Sequence, residues 1–307
     1  MELLGFYFVR FLIFFLNTLP YRLRFSVVRF IVYLTSLVVP SFDKVSLKNI
    51  RLVFPDADEE EVHNILKYSR QSFVRFILDC ARFDMLGDDW YRNHIKAGFN
   101  EEYHAIRARN PGKGILVASG HMGSIEFQAY VAPICGRKFS FIARPFKNKR
   151  LNDWWNARRE KLGNQVIGRS GAVTKVIENL NNGIDVAILI DQNITRKHAV
   201  FVDWFGRPGA TTFALGLAAV ETKAPIVISA IVHRGQEQYE VLESECDVSA
   251  ILGDESLSKE QKILAVTDKI SQEYQKVIRL NPSEWFWMHR RWKTAPEGMK
   301  EDFYSNL

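Results

Sequence analysis

Cysteine is scarce in this 307-residue chain: Cys80, Cys135 and Cys246 stand far apart with no CxxC pair, so neither a disulfide framework nor a zinc knuckle organises it. The three thiols read as packing residues in a reducing compartment. Also missing is H-E-x-x-H, which removes the usual support for a metal-dependent hydrolase, even though His121, Glu126, Asp191 and His289 would be its candidate ligands. Gly112-Lys113-Gly114 and Gly120-His121-Met122-Gly123 complete neither G-x-G-x-x-G nor G-x-x-x-x-G-K-[ST], so a nucleotide enzyme is equally unsupported. No internal repeat and no low-complexity stretch is present, which excludes solenoids and disordered linkers. What is there is the composition of a folded protein, 47% hydrophobic and 25% charged. The formal charge of +6 suits nucleic acid, an anionic bilayer or an acidic protein partner equally well. No nucleic-acid motif accompanies it, so nucleic acid is not expected as a partner.

The N-terminus holds the longest apolar run, Leu3 to Leu19, interrupted only by Arg10 and Asn17. It lacks the basic start and small-residue cleavage site of a secretory signal, and so reads as a retained anchor. A second run, Phe25 to Val39, contains Arg29 and ends at Pro40, while Arg22 and Arg24 lie between the two. These arginines suit anionic headgroups on the cytoplasmic side. Spanning needs roughly 20 apolar residues, so helices lying in the membrane interface and buried helices of a soluble domain both remain open. Residues 1–40 are accordingly expected to form a membrane-anchoring helical segment, and 41–307 a single α/β domain.

Past Pro40 the apolar positions Val62, Ile65, Leu66, Phe73, Phe76 and Ile77 recur at helical spacing behind Asp58-Glu59-Glu60-Glu61. From Gly112 short β-branched runs alternate with helical stretches: Ile115–Ala118, Phe139–Ala143, Val186–Ile190 and Ile226–Val232. Tyr239–Leu242 adds a hairpin strand. The pattern predicts a mixed central sheet flanked by helices.

The strand ending at Ala118 runs into Ser119-Gly120-His121-Met122-Gly123-Ser124-Ile125-Glu126. On one regular helix, residues five apart point about 140° away from each other, so His121 and Glu126 meet only if His121 sits in a turn, which Gly120 and Gly123 permit. A histidine suits the removal of a proton from an alcohol as it attacks a thioester carbonyl. A carboxylate on the other ring nitrogen would fix its tautomer. The following helix N-terminus offers N–H groups to a developing oxyanion.

H-x4-E after a strand resembles the signature of the glycerolipid and lysophospholipid acyltransferase superfamily. More of the chain is similar to one branch, the late lauroyl and myristoyl acyltransferases of lipid A synthesis. The resemblance is carried by Ala143-Arg144-Pro145, Ile190-Asp191-Gln192-Asn193, Val200 to Gly206, Ala210-Thr211-Thr212 and the closing Trp285 to Thr294 element, in the same order and spacing. It implies transfer of an acyl group from acyl carrier protein to a hydroxyl of a 3-hydroxyacyl chain on a lipid A precursor, at the cytoplasmic face of a bacterial inner membrane, with no cofactor and no metal. Carried over, His121 is the general base and Glu126 its orienting partner, and Arg144 and Asp191 fall at the cleft. A glycerophospholipid or other glycolipid acceptor is the nearest alternative, and a non-catalytic lipid- or carrier-binding module the more distant one.

Several further residues carry a functional and a plain reading. Arg144 is a candidate contact for a thioester oxygen or phosphate, or one half of an ordinary ion pair. Arg169, on the turn Gly168 to Ala172, is a phosphate contact or a solvated loop residue. Asp191 ends a buried strand, where α/β sites commonly lie, or caps the next turn. Arg290 and Arg291 combine structure with anion binding. The basic stretch Lys147 to Lys161 would receive acidic carrier protein or form a solvated helix face.

Overall fold

The computed structural model describes residues 2–97, 100–299, 303–305 and 307; the extreme ends of the two expected segments lie partly outside these. Four helices come first: α1 (Glu2–Thr18), α2 (Tyr21–Val38), α3 (Ser41–Val53) and α4 (Glu59–Arg82). The Asp58 carboxylate caps α4 by accepting the Glu61 N–H at 2.8 Å, and Glu59, Glu60 and Glu61 face the positive end of its dipole. Val62, Ile65 and Leu66 are buried as the spacing predicts, each worth about 1.5–3 kcal/mol on removal from water. Phe73 and Phe76 are only half-buried, because they wall the cavities described below.

The rest of the chain follows the alternation read from its sequence. In order come α5 (Asp88–His94), β1 (Ile95–Ala97), α6 (Asn100–Arg109), β2 (Leu116–Ser119), α7 (Gln128–Ile134), β3 (Phe139–Ile142), α8 (Lys149–Arg159), β4 (Gln165–Ile167), α9 (Ala172–Asn181) and β5 (Asp185–Leu189). Then come β6 (Ala199–Trp204), β7 (Arg207–Thr212), α10 (Ala214–Thr222), β8 (Ile226–His233), β9 (Tyr239–Glu245), α11 (Ser249–Gly253) and α12 (Lys259–Leu280). Seven strands form one sheet in the order β1-β9-β8-β2-β5-β3-β4, with β8 and β9 antiparallel and every other pair parallel. The expected mixed sheet is therefore present.

Alternate residues point to opposite faces of the sheet. Leu116, Ala118, Val186, Ile188 and Ile228 join the core containing Leu180, Leu215, Val266 and Ile270 of α9, α10 and α12. Ile115, Val117, Ala187 and Val227 pack with Ile106 and Ala132 of α6 and α7 on the other face. The stretch Val200 to Thr212 forms a separate hairpin of β6 and β7, turned by Phe205 and Gly206, both at positive φ.

Among the described residues no single helix is long and apolar enough to cross a membrane; α2 and α3 pass that test only together and are bent by 91°. Leu16, Phe25, Val28 and Val32 hold the first two helices against Val74, Ile77 and Leu78 of α4. The outward stripe of α1, at Leu3, Leu4, Tyr7, Phe8, Phe11, Phe14 and Phe15, stays exposed, as do Phe30, Ile31, Leu34, Leu37 and Val38 of α2.

Candidate active site

Strand order assembles the site. β2 and β5 are parallel neighbours with Ser119 opposite Leu189, so His121 and Asp191, each two residues further along, emerge side by side. The Ile190 N–H donates to the Ser119 carbonyl at 2.9 Å, fastening the two strand ends together. Ligand sites of α/β sheets characteristically lie at these carboxyl ends.

Asp191 Oδ1 lies 2.9 Å from His121 Nδ1, and Asp191 Oδ2 accepts the His121 backbone N–H at 2.7 Å and the Trp285 indole N–H at 2.9 Å. Burial alone would raise the Asp191 carboxyl, but the charge of His121 and the donors from His121 and Trp285 outweigh it and hold the group below its ordinary value. An ionised carboxylate accepts only, so the neutral imidazole carries its proton on Nδ1 and leaves Nε2 as the basic nitrogen. The His121 side chain is 30% exposed while that of Asp191 is 1% exposed. The imidazole is reachable and its partner carboxylate is not.

Glu126 makes no hydrogen bond to the His121 imidazole among the described residues. Its carboxylate is held by a two-pronged pair with Arg159 of α8, Nε to Oε2 at 2.9 Å and Nη2 to Oε1. His121 does sit in a turn, as expected, but no regular helix follows it directly. A single 3-10 turn, Ile125–Phe127, precedes α7 and carries Glu126 toward α8. Gly123 adopts φ +49°, and a Cβ there would collide with the Ile231 carbonyl, so this turn requires glycine. The N–H groups of Met122, Gly123 and Ser124 are spent on the carbonyls of Gly120, Glu284 and Ile231.

His121, Phe76 and Ile125 stand between two cavities and line both. One, of about 140 Å³, lies between α4 and the 284–288 segment, walled by Leu66, Phe73, Phe286, Trp287 and Met288, with Arg70 and Asp43 also on its lining. The other, of about 310 Å³, lies against the ends of β3 and β5, walled by Ala129, Phe139, Phe141, Ile142, Ala187 and Leu189. Glu126, Arg159 and Arg144 line this second cavity.

The remaining candidates divide. Arg144 follows β3, is exposed on the cavity lining and has no ion-pair partner among the described residues. Arg169 follows β4, three strands from β2 in the sheet order; at about 4.8 Å per strand its backbone lies about 14 Å away. It lines neither cavity. Arg290 is half-buried over the Tyr304 ring. Arg291 is fully buried, donates to the Ala210 carbonyl at 2.7 Å and stacks on Trp204; burial pushes its guanidinium down to about 9. As a ligand contact it is a correction, since its charge is committed inside the core. His289 accepts the Asn193 N–H through Nε2 at 2.7 Å, and burial pushes it down to about 4, so it stays neutral. Among the described residues no three His, Cys, Asp or Glu side chains are grouped to hold a metal. Reading by motif missed Trp285 as a donor and Asp191 as the imidazole partner. The available signal was positional, since Asp191 trails its strand by the same two residues as His121.

Residues 2–294 match the profile of the bacterial lipid A biosynthesis acyltransferase family. The chain is 23% identical to the lipid A biosynthesis palmitoleoyltransferase of Escherichia coli (strain K12), over 83% of this chain and 80% of that protein. Against the lipid A biosynthesis myristoyltransferase of the same organism it is 20% identical, covering 82% and 76%. A lipid A biosynthesis acyltransferase of Haemophilus influenzae is 24% identical over 66% of this chain and 60% of that protein.

Proposed function

This chain belongs to the bacterial lipid A biosynthesis acyltransferase family, and on that premise we propose that it moves a fatty acyl group from acyl carrier protein to a hydroxyl of a 3-hydroxyacyl chain on a lipid A precursor, with His121 as general base. The observation that carries this reading is the place of His121 between two apolar cavities that share its imidazole. A base serving one chain needs one cavity; a base that joins two acyl-bearing substrates needs both.

In this mechanism the acceptor hydroxyl donates to Nε2, the imidazole takes the proton as the oxygen attacks the thioester carbonyl, and Asp191 stabilises the imidazolium. The tetrahedral intermediate then collapses, the carbon–sulfur bond breaks, and the same proton passes from Nε2 to the carrier thiolate. Asp191 takes the orienting role that the motif suggests for Glu126, and Glu126 keeps Arg159 in place on the cavity wall. The larger cavity suits the donor chain. Exposed Arg144 and Phe146 line it, and the basic Lys147, Lys149 and Arg150 that follow in the chain are exposed, a charge pattern that complements an acidic carrier. The smaller cavity then takes the acceptor chain.

The outward apolar stripes of α1 and α2 support an in-plane seat in the membrane interface rather than a span. The Asn148 amide donates to the Glu2 carbonyl at 2.7 Å, so the segment after Arg144 touches the start of α1, and the donor cavity would open near that membrane surface. A cytoplasmic face of the bacterial inner membrane is the matching location.

The test is transfer by the purified protein from carrier thioesters, joined to mass spectrometry of lipid A from cells with and without the gene. His121→Ala is expected to lower kcat by about 10²–10⁴-fold, the usual weight of a general base, in a protein that remains folded. Unchanged lipid A in the deletion strain would shift the acceptor to another lipid, and near-normal turnover by His121→Ala would end the mechanism.

A further inference from the structure

A second histidine–carboxylate cluster lies behind the catalytic turn. His233, the last residue of β8, has 1% of its side chain exposed and stands between Asp79 of α4 and Glu284. Its Nδ1 is 2.6 Å from Glu284 Oε2, an oxygen that also accepts the His233 backbone N–H at 3.2 Å and the Ser72 hydroxyl at 3.0 Å. On the other side Nε2 is 3.0 Å from Ser124 Oγ, and the Ser124 hydroxyl donates to Asp79 Oδ2. Because the Ser124 proton is spent on Asp79, its oxygen meets Nε2 as an acceptor, so Nε2 carries a hydrogen. The Glu284 carboxylate requires one on Nδ1 as well. A ring with both nitrogens protonated is an imidazolium.

The surrounding charges fit that state. The Tyr239 hydroxyl donates to Asp79 Oδ1 at 2.9 Å and Arg82 lies 3.5 Å from the same oxygen; Arg82 also pairs with Glu237, which meets Arg24. Three cations, His233, Arg82 and Arg24, thus face three anions, Asp79, Glu284 and Glu237. Burial would lower the imidazole, but its bonds to Asp79 and Glu284 outweigh that and raise it above the ordinary histidine value.

We propose that the buried His233 imidazolium is a positioning residue for transfer, fixing the turn that carries His121 by tying Ser124 and Glu284 to α4. The links to the base are short. The Glu284 carbonyl accepts the Gly123 N–H at 2.9 Å, and the Phe286 N–H donates to the His121 carbonyl at 3.1 Å. With a raised folded value, the clamp is complete where Asp79 and Glu284 are ionised and His233 is charged, and is lost as pH rises through the His233 value. kcat then falls on the alkaline side as the clamp opens, while substrate affinity is little changed. The catalytic half of this inference rests on transfer at His121; the charge of His233 does not.

The full-length protein in lipid nanodiscs provides both readouts. Nitrogen NMR of the imidazoles across a pH titration should show both His233 nitrogens still protonated just above the ordinary histidine value of about 6.5, assigned by their loss in His233→Gln. His233→Gln and Ser124→Ala should each lower kcat about 10–100-fold, as small misplacements of a base do, with KM held within about twofold. The alkaline fall of the native enzyme should track the His233 nitrogen signal and be absent from His233→Gln. A neutral His233 ring overturns the proposal whatever the activity. So does Ser124→Ala that is folded by circular dichroism and retains kcat within about twofold; that variant also carries the test if His233→Gln does not fold. A native protein inactive on carrier thioesters would sink the proposed function, while the nitrogen signal would still decide the charge of His233.

Discussion

Two histidines end neighbouring regions of one sheet, and their surroundings give them opposite work. His121 meets one carboxylate, keeps 30% of its side chain exposed, and leaves Nε2 facing no protein partner among the described residues. His233 meets carboxylates at both nitrogens and is 1% exposed. A single ionised neighbour fixes a tautomer and preserves a lone pair, whereas two neighbours around a sealed ring consume both nitrogens. Histidine beside a carboxylate is therefore not by itself a sign of catalysis. The count of acceptors and the access to the last nitrogen decide.

The largest effect expected on the open side is at Asp191. Asp191→Asn keeps the shape but offers an amide that can present its own N–H to Nδ1, favouring the wrong tautomer, so kcat should fall by about 10²–10⁴-fold, comparable to loss of the base. Steady-state kinetics with carrier thioesters checks this. Glu126→Gln should act differently. It leaves Arg159, whose side chain is 16% exposed, without its anion, and breaking such a pair costs about 3 kcal/mol of stability, the lower end for buried pairs. Denaturant unfolding should register that loss, with kcat lowered less than in Asp191→Asn. Should Glu126→Gln instead cost more turnover than Asp191→Asn, the pairing of His121 with Asp191 is not the working one, and the contrast between the two histidines must be redrawn.

Local pattern made much of this legible. Alternating β-branched runs announced β2, β3, β5, β8 and β9, and helical spacing announced α4, because each depends on periodicity within a few residues. Gly120 and Gly123 marked the turn that frees His121 from a helix. The partner of His121 was not legible in that way, since it depends on β5 lying beside β2, a fact of strand order set by packing across the whole sheet. Motif spacing favoured Glu126, five residues away in sequence, over Asp191, seventy residues away across the ladder. Arg291 misled for a related reason: next to Arg290 and His289 it reads as an anion contact, yet the hairpin of β6 and β7 covers it, and that hairpin was visible only as family-like stretches. The apolar run at 3–19 was legible as a helical anchor segment, but not as a helix lying along α4 with one face exposed.

The smallest expected effect lies where the two histidine regions join. Glu284 serves His233 and the next residue, Trp285, serves Asp191 through its indole N–H at 2.9 Å. Trp285→Phe removes that donor and leaves most of the ring's packing against Trp204, Phe205 and Trp287. Hydrogen bonds to charged groups are worth about 1.5–3 kcal/mol, but Asp191 Oδ2 keeps the His121 backbone N–H at 2.7 Å, so the lower end applies. About tenfold in kcat is the corresponding loss, at 1.36 kcal/mol per factor of ten. The sharper reading is in the pH profile. If 284–286 transmits the state of His233 to His121, the alkaline fall in kcat should persist in Trp285→Phe, because Glu284 and its imidazolium are untouched. A variant that lost the alkaline fall along with the indole N–H would show that the two histidines communicate through Asp191 itself, and not through the backbone that Glu284 and Phe286 hold in place.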